Sequence, residues 1–231
     1  MRRILAVLIV VLPARLRHVV ATKVLKWEVH PSAHIGRSLI MARRVVLGPE
    51  SSIGPRNVIR NLDELRLGTG ARIASRNWIA APPGADIAFG SGNRSSSLVM
   101  GDWSMVTIGH EIDCSDRVVI GDYAGLIGYR CQILTHSLDL VRDRQTTGPV
   151  EIGHHSGVMS GSILLSGTRV PPCCIVSAGS VVSTKLAKER TLYRGNPAEA
   201  VRELPDLKVF HRGPAEARWH FMGEPVDGEP S

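Results

Sequence analysis

Aliphatic residues recur at every sixth position in the second half of the chain. The uninterrupted series is Ile152, Val158, Leu164, Val170, Val176 and Val182. A small residue follows four positions after each of the first five, at Ser156, Ser162, Thr168, Cys174 and Ser180. A period of six fits neither an amphipathic helix nor a simple alternating strand. It predicts a coil of triangular cross-section whose sides are short strands stacked in parallel at about 4.8 Å, with both residue series pointing inward.

The same period occurs earlier in the chain, with interruptions. Its members are Leu47, Ile53 and Ile59, then Leu67, Ile73 and Ile79, then Met100, Val106 and Ile112, then Ile127 and Ile133. We interpret the irregular intervals 59–67, 112–120 and 120–127 as bulges or corner insertions. Two longer interruptions remain. Residues 80–97 are rich in Pro, Gly and Ser and predict a loop. Residues 137–149 leave the coil directly after a histidine, and long excursions of this kind are often functional.

Both ends of the chain depart from the repeat. Near the N-terminus Leu16, Val19, Val20, Val24 and Trp27 would share one face of a helix, with the basic residues largely outside it. Such a helix is typical of a membrane surface, and the first alternative is a helix packed on its own domain or on a neighbouring subunit. A cleaved signal peptide with the apolar run 4–12 as its core is the least favoured alternative, because no convincing small-x-small cleavage site follows the run. Beyond Val182 we expect a short helix over 198–204 and a tail. The predicted organisation is therefore a basic segment 1–28, a coil domain 29–190 and an extension 191–231.

Charge and cysteine content limit the possible partners and compartment. The net charge is +7, but residues 1–76 hold 14 Lys and Arg against 4 Asp and Glu, so the basic excess lies in the first third. Aromatic residues make up only 4% of the chain, too few for base stacking, and no nucleic-acid-binding module is present. An anionic membrane surface is the simpler partner for residues 1–27. The four cysteines form no C-x-x-C pair, which favours a reducing, cytoplasmic location, with possible peripheral contact with the inner membrane face.

Three local strings resemble a known family. They are Ile133-Leu134-Thr135-His136-Ser137, the stretch from Val176 through Gly179 to Lys185, and Gly195-Asn196-Pro197-Ala198 followed by Val201-Arg202. Together with the repeat they resemble the hexapeptide-repeat acyltransferases, and more narrowly members that O-acetylate sugars or polysaccharide precursors. The resemblance implies an all-β, left-handed parallel β-helix. It also implies a homotrimer with active sites between subunits, acetyl-CoA or another acyl-CoA as co-substrate, and no metal.

His136 is the predicted general base. Acyl transfer from a thioester to a hydroxyl needs a group that removes the hydroxyl proton, and histidine titrates near neutral pH. Asp139, three residues later, is a candidate to orient the imidazole. His110, Asp113 and Asp116 fall about one coil earlier and are candidates to contact the acceptor or place the acyl group.

For coenzyme A, the resemblance points to one set of small residues and one set of polar or basic residues. The small residues, which would let the pantetheine arm approach the backbone, are Ser160, Ala178 and Gly179. The residues expected near the phosphates are Ser183, Thr184, Lys185 and Arg202. The chain departs from the family pattern at Thr107, Gly157 and Glu199, where many members have Asn, Trp and Arg.

Two other functions stay open from the sequence. A zinc enzyme similar to the γ-type carbonic anhydrases would use histidines, for which His110, His136, His154 and His155 are candidates. A catalytically inactive β-helix scaffold would show the same repeat without the chemistry. Metal content distinguishes the first from an acyltransferase, and cofactor binding distinguishes the second.

Overall fold

The computed structural model describes residues 7, 9–85, 89 and 94–217. Short strands dominate this part of the chain. Its helical segments include an α-helix α1 (Ala14–Val19), a π-helical turn (Val20–Val24), a 3-10 turn (Lys208–His211) and a helical turn over residues 214–217. In chain order its strands are β1 (Glu28–Val29), β2 (His34–Ile35), β3 (Leu39–Leu47), β4 (Ser52–Ile53), β5 (Val58–Leu67), β6 (Arg72–Ser75), β7 (Trp78–Ala80), β8 (Ser97–Met100), β9 (Met105–Ile108), β10 (Glu111–Asp113), β11 (Val118–Ile120), β12 (Gly125–Tyr129), β13 (Gln132–Ile133), β14 (His136–Asp139), β15 (Arg144–Thr147), β16 (Val150–Ile152), β17 (Gly157–Val158), β18 (Ile163–Leu164), β19 (Arg169–Val170), β20 (Ile175–Val176), β21 (Val181–Val182), β22 (Thr191–Arg194) and β23 (Glu199–Glu203).

These strands form a three-sided parallel coil. The first face stacks β2, β4, β6, β9, β12, β17, β20 and β22. The second face stacks the first half of β5 with β7, β10, β13, β18 and β21. The third face stacks the second half of β5 with β8, β11, β16 and β19. Each coil passes through the faces in this order, and strands of successive coils pair in parallel. The predicted parallel β-helix is therefore confirmed.

The inward columns explain why a period of six specifies this shape. All six aliphatic residues from Ile152 to Val182 are at most 1% exposed, and the five small residues between them are at most 2% exposed. Each aliphatic residue lies in register with its counterpart one coil away, as in Ile133 with Leu164 and Leu164 with Val182. Burial of the stacked side chains removes apolar area from water, worth roughly 1.5–3 kcal/mol for each fully buried aliphatic residue. Cys131 and Cys174 are buried in the same core.

The predicted phase is wrong at one coil. Leu126, not Ile127, points inward, since it is fully buried and pairs with Val106 and Val158. Ile127 is only half-buried. The interval of six therefore continues from Ile120 to Leu126, and the irregular interval comes afterwards. There the pairing of β12 with β9 shifts register between Leu126 and Tyr129.

The two long interruptions emerge at the same corner of the prism, between the second and third faces. Residues 81–96 connect β7 to β8, and residues 134–149 connect β13 to β16. The second interruption is ordered as an antiparallel hairpin of β14 and β15. One coil separates the two interruptions, and its corner is formed by residues 114–117 between β10 and β11. Two segments far apart in sequence are thus brought to one place on the surface.

The five residues predicted to share one face of the N-terminal helix do not all have the same environment, because Trp27 is 7% exposed in the core and Val20 packs partly buried against it. Leu16, Val19 and Val24 are about half exposed. Arg17 and Ala21 are buried instead. Residues 1–6 and 8, which include four of the nine residues of the preceding apolar run 4–12, lie outside the described residues. No helix in the described part of the chain is long and apolar enough to cross a membrane.

The helix predicted over 198–204 is wrong. Residues Glu199–Glu203 form β23, which pairs antiparallel with β22. β22 itself continues the coil, because Tyr193 stacks on Val176 and is 3% exposed. The period of six had ended at Val182, so the repeat gave no sign of this last strand. The short 3-10 turn lies further along the extension, and the tail beyond residue 217 lies outside the described residues.

A column of hydrogen-bonded side chains fills the corner between the first and second faces. Asn57 Oδ1 accepts the backbone N–H of Asn77 at 2.9 Å, and Asn77 Oδ1 accepts that of His110 at 2.8 Å. His110 Nδ1 in turn accepts the backbone N–H of Cys131 at 3.1 Å. Its Nε2 lies 2.8 Å from Thr107 Oγ1, so both ring nitrogens are engaged and Nε2 carries the hydrogen. Burial lowers the pKa of His110 to about 4.

The inward column can be tested with two leucines that are neighbours in one coil. Leu164 is fully buried, whereas Leu165 is half-buried and follows it at the corner. We expect Leu164→Ala to reduce the free energy of unfolding by about 2–5 kcal/mol, because it removes apolar contacts and leaves a cavity. Leu165→Ala should cost clearly less. Urea denaturation measures both, and equal losses would contradict the assignment of inward and outward positions.

The His110 column predicts a specific pH dependence of stability. The folded-state pKa lies below the unfolded value of about 6.5, so the unfolded chain binds more protons as the pH falls. The neutral histidine should therefore make the protein lose about 2 kcal/mol of unfolding free energy between pH 7 and pH 5. His110→Asn extends the asparagine column without a titrating ring and should lack that loss. Chemical denaturation at both pH values tests this, and parallel pH profiles would refute it.

Candidate active site

A histidine and a carboxylate on adjacent coils form the centre of the candidate site. His136 begins β14 at the corner between the second and third faces, and Asp113 ends β10 one coil earlier. Their atoms His136 Nδ1 and Asp113 Oδ2 are 2.8 Å apart. The His136 side chain is 46% exposed, while that of Asp113 is only 13% exposed. The imidazole therefore stands at the surface on a mostly buried carboxylate.

The Asp113 carboxylate is held by a dense set of donors. Oδ1 accepts the backbone N–H and the hydroxyl of Ser115 at 2.9 and 2.6 Å. Oδ2 accepts the backbone N–H and hydroxyl of Thr135 at 2.8 and 2.9 Å, besides the bonds from His136. Burial alone would raise the pKa of Asp113, but the hydrogen bonds from Ser115, His136 and Thr135 outweigh it and lower the pKa below the usual 3.8. Asp113 is thus a fixed negative charge under the ring.

This contact sets the tautomer of His136. An ionised carboxylate can only accept hydrogen bonds, so Nδ1 must carry the hydrogen. Nε2 is then left with a lone pair, and it makes no hydrogen bond with any residue that the structure describes. A neutral imidazole held in this way is suited to accept a proton, and the carboxylate would stabilise the imidazolium that forms.

Asp139, predicted to orient the imidazole, is engaged elsewhere. Its Oδ1 accepts the backbone N–H groups of Val141 and Arg142, both at 3.0 Å, in the turn of the β14–β15 hairpin. Asp113 takes the orienting position in its place. Asp116 lies at the same corner and is 8% exposed. Its Oδ1 accepts the backbone N–H of Arg117, and its own N–H bonds to Thr135 Oγ1, so it shapes the corner beneath His136.

A groove of about 320 Å³ opens on the second face next to His136. Its walls are Arg60, Trp78, Ala80, Ala81, Pro82, Pro83, Glu111, Ile112, Asp113, Leu134 and His136. Trp78 is 47% exposed, and the guanidinium carbon of Arg60 lies 5.8 Å from its ring centroid. Phe89, from the first interruption, places its ring centroid 5.8 Å from that of His136. None of these three residues is marked by the repeat or by the three strings that resemble the acyltransferases.

His110 lies away from this groove. It belongs to the buried column at the corner between the first and second faces, where it is 1% exposed. The structure therefore brings Asp113 and His136 together but leaves His110 inside the prism. His154 and His155 lie beyond β16, at the corner between the third and first faces. Within the described residues, no three or more His, Cys, Asp or Glu side chains are grouped to hold a metal ion.

The residues proposed for coenzyme A follow two neighbouring corners. Ala178 and Gly179 are exposed and stack on Ser160 through a Gly179 N–H to Ser160 carbonyl bond of 2.9 Å. Across the second face, Ser183, Thr184 and Lys185 are exposed directly after β21. Arg202 is exposed on β23, at the end of the first face. The first two groups thus flank the second face at its C-terminal end.

His136 stands at the corner after the second face, and Lys185 lies just past the same corner, where it pairs in parallel with Arg169 at the start of the third face. The pairing of Ile133 with Leu164 and of Leu164 with Val182 places them two coils apart, about 10 Å along the coil axis. Between them the edge of the second face is aliphatic and half-buried, with Leu134 and Leu165. On the other side of His136 the same face is polar and aromatic, with Arg60 and Trp78. The histidine therefore stands at the boundary of two surfaces of different chemistry.

Comparisons with solved structures identify the fold. The N-acyltransferase AntD from Bacillus cereus, in complex with dTDP and 3-hydroxybutyryl-CoA, is 14% identical, covers 78% of this chain and 90% of its own, and has a TM-score of 0.58. A mutant of that enzyme, in complex with dTDP-4-amino-4,6-dideoxyglucose and coenzyme A, is 14% identical and has a TM-score of 0.52, and the match covers 79% of this chain and 90% of the mutant. A hexapeptide-repeat acetyltransferase from Vibrio cholerae is 16% identical and has a TM-score of 0.48, and the match covers 87% of this chain and 88% of the acetyltransferase. No protein-family profile and no curated protein matches the chain. The chain therefore shares its fold with AntD, an N-acyltransferase.

Proposed function

We propose that this protein is a hexapeptide-repeat acyltransferase that moves an acyl group from acyl-coenzyme A to a hydroxyl, with His136 as the general base. The observation that carries the proposal is the contact of 2.8 Å between His136 Nδ1 and Asp113 Oδ2, which leaves Nε2 available beside a groove. The fold gives independent support, since AntD is an N-acyltransferase crystallised with 3-hydroxybutyryl-CoA.

The reaction follows from these two side chains. Nε2 of His136 takes the proton of the acceptor hydroxyl as its oxygen attacks the thioester carbonyl carbon. The tetrahedral intermediate then collapses, the carbon–sulfur bond breaks, and the imidazolium returns the proton to the departing thiolate. Asp113 keeps the ring oriented and stabilises the imidazolium throughout. Acyl group and proton are both conserved, so no further reactant is needed.

The surface beyond His136, towards the C-terminal coils, suits the acyl-coenzyme A. The aliphatic edge formed by Leu134 and Leu165 would contact the acyl group and the pantetheine arm. Lys185, at the end of that edge, would meet a phosphate, for which a lysine ammonium is an appropriate partner. Ala178 and Gly179, at the neighbouring corner, leave room for close approach because they carry little or no side chain.

The opposite side of His136 suits a sugar acceptor. Trp78 is half exposed and offers an apolar face to a sugar ring, while Arg60 and Glu111 offer hydrogen-bonding groups to its hydroxyls.

We retain the predicted homotrimer as part of the proposal, because the half-buried groove would gain a second wall from a neighbouring subunit. Light scattering should then give three times the chain mass of 25.0 kDa, and a monomeric, active protein would contradict this part.

The role of His136 is tested with sugar and amino-sugar acceptors, acetyl-coenzyme A and detection of the released thiol. We expect His136→Ala to reduce kcat by roughly 10²–10⁴-fold while the KM for acetyl-coenzyme A stays nearly unchanged. Asp113→Asn should also reduce kcat strongly, because the amide can stabilise the wrong tautomer. Asp139→Asn is the matched control and should retain activity. Turnover of His136→Ala close to that of the wild type would refute the mechanism, and failure of the wild-type protein to bind acetyl-coenzyme A would favour an inactive scaffold.

The cofactor surface is tested with two exposed lysines that are three residues apart. We expect Lys185→Ala to raise the KM for acetyl-coenzyme A roughly 10- to 100-fold, as loss of a charge-assisted contact of about 1.5–3 kcal/mol implies. Lys188→Ala, just beyond it, should change the KM little. Steady-state kinetics at saturating acceptor measure both. Equal effects of the two substitutions would mean that the basic charge acts at long range, not as a phosphate contact.

A further inference from the structure

The N-terminal helix is attached to the β-helix by one face only. Arg17, Ala21 and Leu25 are spaced four residues apart, and all three are at most 7% exposed. Arg17 Nη1 donates a hydrogen bond of 2.6 Å to the carbonyl of Ile35, on the first face of the coil. Ala21 and Leu25 belong to the hydrophobic core. This face therefore fixes the orientation of the helix.

The π-helical turn secures that orientation. The N–H of Leu25 bonds to the carbonyl of Val20, and the N–H of Trp27 bonds to that of Ala21, both at 2.9 Å. The wider turn brings Leu25 and Trp27 into the core together, with 5% and 7% exposure. Rotation of the helix to bury its other side would remove these residues and Arg17 from their contacts.

The outward side of the helix is apolar. Leu16, Val19 and Val24 are 49%, 50% and 49% exposed, and Val11 before the helix is 72% exposed. Leu16 and Val19 are three residues apart, so they lie on one face of the helix. Aliphatic side chains would normally occupy the buried face of a helix and a basic residue its solvent face. Here Arg17 is inside together with Ala21 and Leu25, while Leu16 and Val19 are outside.

The charge around this surface has one sign. Arg15, Lys23 and Lys26 are exposed on the same segment. Residues 1–27 contain six Lys and Arg and no Asp or Glu. The first acidic residue, Glu28, is paired with Arg44. Exposed aliphatic side chains flanked by unopposed basic ones match the interface of a bilayer that contains anionic lipid.

We propose that this surface, formed by Val11, Leu16, Val19 and Val24 with Arg15, Lys23 and Lys26, binds the face of an anionic membrane. The helix would lie in the interface with its aliphatic side chains among the lipid chains and its basic groups near the headgroup phosphates. The inward face keeps it joined to the catalytic domain meanwhile. The proposal is independent of the acyltransferase chemistry, because no residue of this surface lines the groove.

Vesicle flotation of the full chain tests the proposal. We expect the protein to float with phosphatidylcholine vesicles that contain about one third phosphatidylglycerol and much less with pure phosphatidylcholine. The double substitution Leu16→Ser with Val19→Ser should lower partitioning about tenfold. The matched control is Leu140→Ser with Val141→Ser, which removes two residues that are 83% and 95% exposed on the hairpin. It should float like the wild type, and circular dichroism should show all three proteins folded.

Two outcomes would overturn the proposal. The first is equal flotation with neutral and anionic vesicles, and the second is undiminished flotation of the Leu16→Ser, Val19→Ser variant. If the second result comes with a lower molecular mass of that variant in light scattering, the surface is a contact between copies of the chain.

Discussion

The structure depends on one constraint, the in-register stacking of each coil on the next. Backbone N–H and C=O groups pair between coils, as Leu134 N–H does with the Leu164 carbonyl at 2.9 Å. The pairing is possible only while the inward residues stay in phase, since a shift of one position would turn a buried aliphatic side chain to the surface. The corner positions are therefore fixed relative to one another along the whole prism. Segments that carry functional residues can therefore be inserted at a corner without changing the register of the stacked strands.

The candidate site is built on that property. The first interruption, the Asp113 corner and the hairpin that begins at His136 emerge at one corner in three consecutive coils. The coil spacing of about 4.8 Å places a carboxylate and an imidazole of adjacent coils within hydrogen-bonding distance. Phe89, from the first interruption, reaches the same imidazole. A site assembled from residues far apart in sequence thus rests on a rigid core.

The coil could be predicted well because its inward residues recur with a fixed period in the sequence. The partners of His136 could be predicted less well because the residues of the site follow no such period. Asp139 was expected to orient His136 because it is near in sequence, but the hairpin turn uses its carboxylate for backbone N–H groups. Asp113 is nearer in space because stacking depends on register. Alignment of the inward residues Ile59, Ile79, Ile112 and Ile133 would have placed Arg60, Trp78 and Asp113 on one surface. The phase error at Ile127 shows how a single bulge limits such an alignment.

The termini were harder to predict for a different reason. Amphipathic periodicity shows that a helix has two faces, but it does not tell which face the domain buries. Arg17 is buried because one carbonyl of the coil accepts a hydrogen bond from its guanidinium, and no pattern of hydrophobicity reveals this contact. Likewise, β23 forms from residues without a strand pattern because β22 offers an open edge. Tertiary contacts decide both cases.

A crystal structure of the protein with coenzyme A tests the central claim most directly. The thiol should lie beside His136 Nε2, the pantetheine arm should follow Leu134 and Leu165, and a phosphate should contact Lys185. Coenzyme A bound along a different face, with its sulfur remote from His136, would contradict the account.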